Sequence, residues 1–222
     1  RVPCFALSHQ YALSSPKVPK PKHFDPLGLW LLNNYAPVGQ GVGFHFATYD
    51  RNIFTPVIRE RIRKTVVSND GHYTVYLPAY DDKKLVKLFL KFSEISWHLF
   101  SKHISKPYHI GKISVFPVDN EAFTLSMASS QGVLCGAGFE TPAEALYLKK
   151  KLLVVPMKNQ YEQHFNAASL KQLGVPVLKK VTKKRLPKIE EWIESETRVE
   201  VSYKETARAS IERVLKLYNE RK

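Results

Sequence analysis

Two stretches of the chain combine residue types and spacings that could do chemistry. The first is Cys135-Gly136-Ala137-Gly138-Phe139-Glu140-Thr141-Pro142-Ala143-Glu144. A turn of small residues before a helix lets backbone approach a ligand closely, and free N–H groups at a helix start suit a phosphate. Thr141 to Glu144 also spells a capping box with Pro142 at the first helical position, so Glu144 has a purely local role available, bonding the Thr141 N–H. The second stretch, Pro156 to Ala167, clusters polar residues where a loop enters a helix. There Glu162 and Gln163 could accept hydrogen bonds from sugar hydroxyls, or Glu162 could simply favour a helix first turn. His9, after an opening strand, is the one candidate proton acceptor, although a lone histidine there is more often structural. His164 reads as packing or a ligand contact. His45, His72, His98, His103 and His109 show no usable partner pattern.

The elements that must position these residues follow from hydrophobic period and proline stops. Strands are expected at His72–Leu77, Ile95–Phe100, Lys112–Phe116, Gly132–Cys135 and Leu152–Val155. Helices are expected at Asp81–Phe92, Glu121–Ala128, Thr141–Leu148 and Tyr161–Leu173, the last ended by Gly174. That alternation implies an α/β fold, a Rossmann-like parallel sheet with helices on both faces, whose ligands sit at the carboxyl ends of the strands. The relevant loops are then 78–81, 101–110, 116–119, 136–141 and 156–163. Upstream, Val2–Leu7 reads as a buried strand, Ser14–Lys22 as a Pro/Lys stretch without regular structure, Gly39–Gly43 as flexible, Phe44–Tyr49 as a strand and Ile58–Lys64 as a charged helical crossing. Two tail helices run over Leu186–Ser195 and Tyr203–Tyr218. The domains expected are 1–64, remnant of a second α/β domain plus linker; 65–185, the ligand-binding domain; and 186–222, helices that cross back towards the first part.

The composition is that of a globular protein, 44% hydrophobic and 24% charged, with no apolar run long enough to span a bilayer. Cys4 and Cys135 both fall in apolar segments and read as buried thiols of a reducing cytosol. No Cys/His pair has metal-ligand spacing. The net charge is +14, and between Lys149 and Lys188 eleven basic residues face one acid, Glu162. A field without interleaved aromatics favours phosphate or an anionic membrane surface over specific nucleic acid, the plain alternative being a solvated face.

Gly138-Phe139-Glu140-Thr141, Glu144-Ala145-Leu146, Pro156, Gln160-Tyr161-Glu162-Gln163 and Asn166-Ala167, in that order, resemble the donor-binding signature of GT-B glycosyltransferases. The stretch is similar to UDP-sugar transferases and to the bacterial N-acetylglucosaminyltransferase of cell-wall lipid precursor synthesis. The resemblance covers about residues 95–175. It implies the C-terminal half of a two-Rossmann-domain enzyme, with the first half of the N-terminal domain and its base-bearing loop absent. Position by position it implies that Glu144 holds the ribose hydroxyls and that Gly136, Ala137, Gly138, Glu140 and Thr141 lie near the diphosphate. It further implies that Phe116, Pro117 and Val118 read the base, and that Glu162 and Gln163 read the donor sugar. Two places depart from the pattern: Gly136 stands where plant enzymes have a histidine, and Pro78-Ala79-Tyr80-Asp81 stands where relatives have a glycine-rich loop.

The implied reaction moves a sugar from a nucleoside-diphosphate sugar, with UDP the expected nucleotide, to an acceptor hydroxyl. No covalent intermediate, cofactor or metal is expected. A cytoplasmic location at the inner face of a membrane fits the charge. The rivals are a nucleotide-sugar 2-epimerase of the same architecture, which needs acids and histidine clustered in the cleft, and a non-catalytic module binding a nucleotide-sugar or an anionic surface.

Overall fold

A computed structural model describes residues 4–21, 26, 28, 30, 34 and 39–220. The chain opens with β1 (Ala6–Ser8) and α1 (His9–Leu13), then β2 (Gly41–Phe44) and β3 (Ile53–Phe54). These three strands form a parallel sheet in the order β1-β2-β3. Glycine makes this small sheet possible. A Cβ on Gly43 would lie 2.7 Å from the backbone of Ala12, so α1 can press directly on β2. Gly39–Gly43 is therefore no flexible hinge, since its second half is a close-packed strand. The strand expected over Phe44–Tyr49 ends instead at Phe44, and bends after it turn His45 and Phe46 inward, both buried. Val2 and Pro3 lie outside the described residues.

The crossing helix α2 (Glu60–Lys64) leads to the larger sheet. Its elements are β4 (His72–Tyr76), α3 (Asp82–Phe89), β5 (Ser96–Ser101), β6 (Tyr108–Ile110), β7 (Ile113–Pro117), α4 (Asn120–Ser129), β8 (Gly132–Gly136), α5 (Glu140–Tyr147), β9 (Lys151–Val155) and α6 (Tyr161–Gln172). The order across the sheet is β6-β7-β5-β4-β8-β9, parallel throughout except for the edge strand β6. The fold is α/β and Rossmann-like. Alternate residues of each strand feed opposite cores, as the period of two requires. Val133, Cys135, Leu152 and Val154 join the core under α4, α5 and α6, while Tyr73, Val75, Leu134, Leu153 and Val155 join the core under α3. Phe89 stacks on the fully buried Trp97 in that second core, ring centroids 4.5 Å apart. Gly174, at φ +96°, follows the last turn of α6, a left-handed position that favours glycine.

Two sequence expectations change here. The loop 101–110 contains β6, a strand too short and too exposed to announce itself. Cys135 is buried, but Cys4 lies ahead of β1 and is exposed.

After a short 3-10 turn, α7 (Leu186–Glu194) covers the α3 face of the large sheet through Ile189 and Trp192. The chain then returns to the small sheet, where α8 (Ala207–Asn219) packs on β1 and β2. This helix starts four residues later than the sequence pattern suggests. Arg63 ties the outbound and returning segments together, its guanidinium donating to the carbonyls of Tyr203 and Lys204 at 3.1 Å each.

Candidate functional site

Five parallel strands put the loops after β4, β5, β7, β8 and β9 on one edge. The strand order reverses between β4 and β8, and at such a switch point neighbouring loops part to leave a crevice. The Gly136–Phe139 turn lies at that point. α5 begins at Glu140, two residues earlier than the capping box requires, with Phe139 at the N-cap and no side chain bonded to its first turn. The box is thus not formed, and Pro142 sits at the third helical position. The helix start faces the crevice with N–H groups that no side chain caps, an arrangement suited to an anion. A Cβ on Gly138 would meet nothing within 4 Å, so the turn opens onto free space.

Glu144 is 3% exposed and turned to the protein itself. Its carboxylate accepts two hydrogen bonds from Arg59, from Nε at 2.5 Å and Nη2 at 2.6 Å. Arg59, at the start of the crossing helix, was given no role by the sequence. The pairing with Glu144 pushes its affinity for the proton up from the ordinary arginine value. Glu140 and Val118 are exposed, while Thr141, Phe116 and Pro117 are partly so. Phe116 to Val118 lie three strand spacings from β8, about 14 Å, on the same edge. Pro117 has no N–H to offer, leaving carbonyls and the Val118 N–H to face a ligand there.

The second loop is braced from within. Gln163 accepts from the Met157 N–H (3.0 Å) through Oε1 and donates to Gln160 Oε1 (2.6 Å), so both ends of its amide are engaged. Glu162 remains half exposed, its carboxylate 3.6 Å from His9 Nε2. His9 reaches this place from the small sheet and stacks on Phe139, ring centroids 3.8 Å apart. Its Nδ1 donates to the Phe44 carbonyl at 2.7 Å. Asn166, fully buried, donates through Nδ2 to the Ala137 carbonyl at 3.1 Å, which turns its Oδ1 towards His9 Nε2 at 2.9 Å. Both ring nitrogens are thus in contact, Nδ1 with the Phe44 carbonyl and Nε2 with the Asn166 amide. Burial pulls His9 below the ordinary histidine value, opposed by the Phe44 carbonyl, Glu162 and Asn166. In this arrangement His9 braces the Gly136–Phe139 turn through Phe139 and Asn166.

His45 lies behind it and is neutral, since burial lowers it to about 3. Its Nδ1 accepts from the Phe46 N–H, which leaves Nε2–H for Ser169. His164 donates from Nε2 to the Lys158 carbonyl at 3.1 Å, consistent with packing. Among the described residues no group of three His, Cys, Asp or Glu side chains is placed to hold a metal. The turn, the uncapped helix, the half-exposed Glu162 and the His9–Asn166 brace come together around one crevice. Arg59, Phe139 and Asn166 are the members that sequence reading missed. Asn166 alone left a signal, through its fixed distance from Glu162 in the motif.

The profile of glycosyl transferase family 1 matches residues 44–195, more than half of the chain. The chain belongs to this family. None of the curated proteins compared with this family member matches it. Among solved structures, a glycotransferase of kitacinnamycin is 16% identical, with a TM-score of 0.48 over 65% of this chain and 42% of the other. The glycosyltransferase SnogD from Streptomyces nogalater is 16% identical, with a TM-score of 0.41 over 70% and 42%. Spinosyn forosaminyltransferase SpnP is 14% identical, with a TM-score of 0.48 over 84% and 57%. The chain thus spans roughly half the length of these proteins.

Proposed function

We propose that this member of glycosyl transferase family 1 carries the donor-binding half of a GT-B enzyme that transfers a sugar from a nucleoside-diphosphate sugar, UDP first among the candidates, to an acceptor hydroxyl. The observation that carries this reading is the uncapped start of α5 behind an open Gly-Ala-Gly turn, placed at the switch point of the sheet. The diphosphate would lie on that turn, its charge met by backbone N–H groups and the positive end of the helix. Glu162 would meet the sugar hydroxyls. Glu144 would reach the ribose only by exchanging Arg59 for the diol. Residues 1–64 are read as part of the acceptor domain and 186–222 as the segment that returns to it. No metal is required in this reading, and the site of work is the cytoplasm, at the inner face of a membrane.

Thermal unfolding with and without UDP, UDP-sugars and inorganic phosphate tests it. A ligand that binds only the native state raises stability by about 2.7 kcal/mol at a hundred times its dissociation constant. A rise with UDP and UDP-sugars that phosphate does not reproduce supports the donor site. No rise with any nucleoside diphosphate or its sugar at millimolar concentration refutes it.

A further inference from the structure

On the α3 face of the sheet, that helix, the loop after β4 and the segment that follows Leu178 enclose a surface groove of about 740 Å³. Its walls are aliphatic or shielded. Ala79, Leu88 and the buried Val181 form them, and Tyr80 turns its hydroxyl to accept the Val181 N–H at 3.0 Å. Lys84, Lys87, Lys91 and Lys183 line it with cations, all four exposed. Lys84 and Lys87, spaced i and i+3, share one face of α3, and Lys91 follows in the turn just beyond its end. Among the described residues none of the four is paired with a carboxylate. The one acid at the groove, Asp81, is committed to capping α3 through the Lys84 N–H at 3.1 Å. Lys179, Lys180 and Lys184 extend the same positive field, and Leu90 stands 46% exposed beside it.

The basic run seen in the sequence therefore divides in two. Lys150 is buried and donates to the carbonyls of Ser68 (2.7 Å) and Ser130 (2.8 Å), and Lys151 is buried and donates to the Ile193 carbonyl (2.6 Å). Those two are structural cations and cannot serve as a surface charge. Of the exposed lysines in that run, Lys183 lines the groove, where it joins Lys84, Lys87 and Lys91 from outside the run.

We propose that this groove is the surface by which the protein lies on an anionic membrane, the lysines meeting lipid phosphates and the aliphatic walls taking the interfacial region. The proposal deepens the membrane location in the functional reading and rests on that part of it alone. Four lysines from α3, the turn after it and the segment at Lys183 spread the charge along the groove, which matches a plane of headgroups better than one converging phosphate. The absence of an exposed aromatic ring in the groove speaks against single-stranded nucleic acid, which stacks its bases on such rings.

Co-sedimentation with phosphatidylcholine vesicles, with and without phosphatidylglycerol, tests it. Binding to the anionic vesicles at low salt is expected, falling as salt rises, because exposed charges are screened beyond about 8 Å at physiological ionic strength. Each lysine near such a surface contributes roughly fivefold, so the combined change of Lys84, Lys87 and Lys183 to Gln should weaken partitioning about a hundredfold. The melting temperature of that variant should hold, since the three side chains are solvated. Lys149→Gln, exposed but outside the groove, should bind as the parent does. Equal binding by the triple variant, no preference for the anionic vesicles, or displacement by a single-stranded oligonucleotide at lower concentration than the vesicle lipid overturns the proposal. UDP-induced stabilisation of the triple variant reports on the donor site separately and should be unchanged.

Discussion

Arg59→Met isolates the ion pair that joins the start of the crossing helix to α5. Glu144 is 3% exposed and its carboxylate is held from two directions by one guanidinium, whereas the Arg59 side chain is 40% exposed. The two partners are thus unequally trapped. Removing the arginine leaves a carboxylate in the interior with no compensating charge, a change that costs about 3–5 kcal/mol. In a chain of this size, each kcal/mol moves the melting temperature by about 2–4 °C, so Arg59→Met should melt about 10 °C lower. Glu144→Gln is milder. It trades charge-assisted hydrogen bonds for neutral ones, worth roughly half as much, and the freed guanidinium can turn to water. About 1–2 kcal/mol is expected. The double variant, with neither charge, should recover part of what Arg59→Met loses. The assay is thermal or urea unfolding of all four proteins at pH 7. Nucleotide titration of the same set then asks whether ribose competes for the acid. If it does, Glu144→Gln weakens UDP binding while Arg59→Met, where the carboxylate is unoccupied, does not weaken it. Equal losses from the two single changes, or a double variant no better than Arg59→Met, would refute the unequal trapping on which this reasoning stands.

Gly138→Ala should leave stability unchanged, since the added methyl meets nothing, yet weaken UDP at least tenfold by titration calorimetry if the diphosphate rests on that turn. Gly43→Ala should behave in the opposite way, losing about 1–3 kcal/mol in urea unfolding because its methyl would press on Ala12. Lys150→Ala should lower the melting temperature, as the Ser68 carbonyl and the buried Ser130 carbonyl lose their donor, with no change in vesicle binding. Burial lowers His98 to about 4 and His45 to about 3, and His72 in the same direction. The unfolded chain takes up those protons near pH 6.5 and the folded one does not. Stability is therefore full above pH 6.5 and falls as the pH drops towards 4. Urea midpoints at pH 7.5, 6 and 5 should decline in that order, and His98→Gln should flatten the slope.

The regular part of the fold was legible because its signals are local. β8 and β9 stand within one residue of their expected limits, as apolar runs closed by glycine and proline, and α6 ends where Gly174 demands. The Phe44–Tyr49 alternation misled, since His45 and Phe46 are buried through a bend that period-two counting cannot express. The site was legible in part. The small-residue turn and the position of Glu162 follow from the motif. Arg59 meets Glu144 across 85 positions of sequence, and the His9–Asn166 contact spans 157. No local pattern encodes pairs so distant. The burial of Lys150 and Lys151 was hidden for a further reason: a run of lysines looks solvated until backbone carbonyls are placed around the ammonium groups.

The stitch at Arg63 has a mechanical consequence. Both covalent links between the two sheets pass through one spot, fastened there by a single guanidinium. The rest of the seam is a shared buried core, in which Phe46, Ile58 and Ile62 pack with Ala137, Ala143 and Ala145, Phe165 packs with Ala12 and Leu13, and His45 meets Ser169 at 3.0 Å. Prising the two sheets apart about Arg63 would expose these apolar side chains to water, so the stitch fastens one edge of a seam that burial already holds closed.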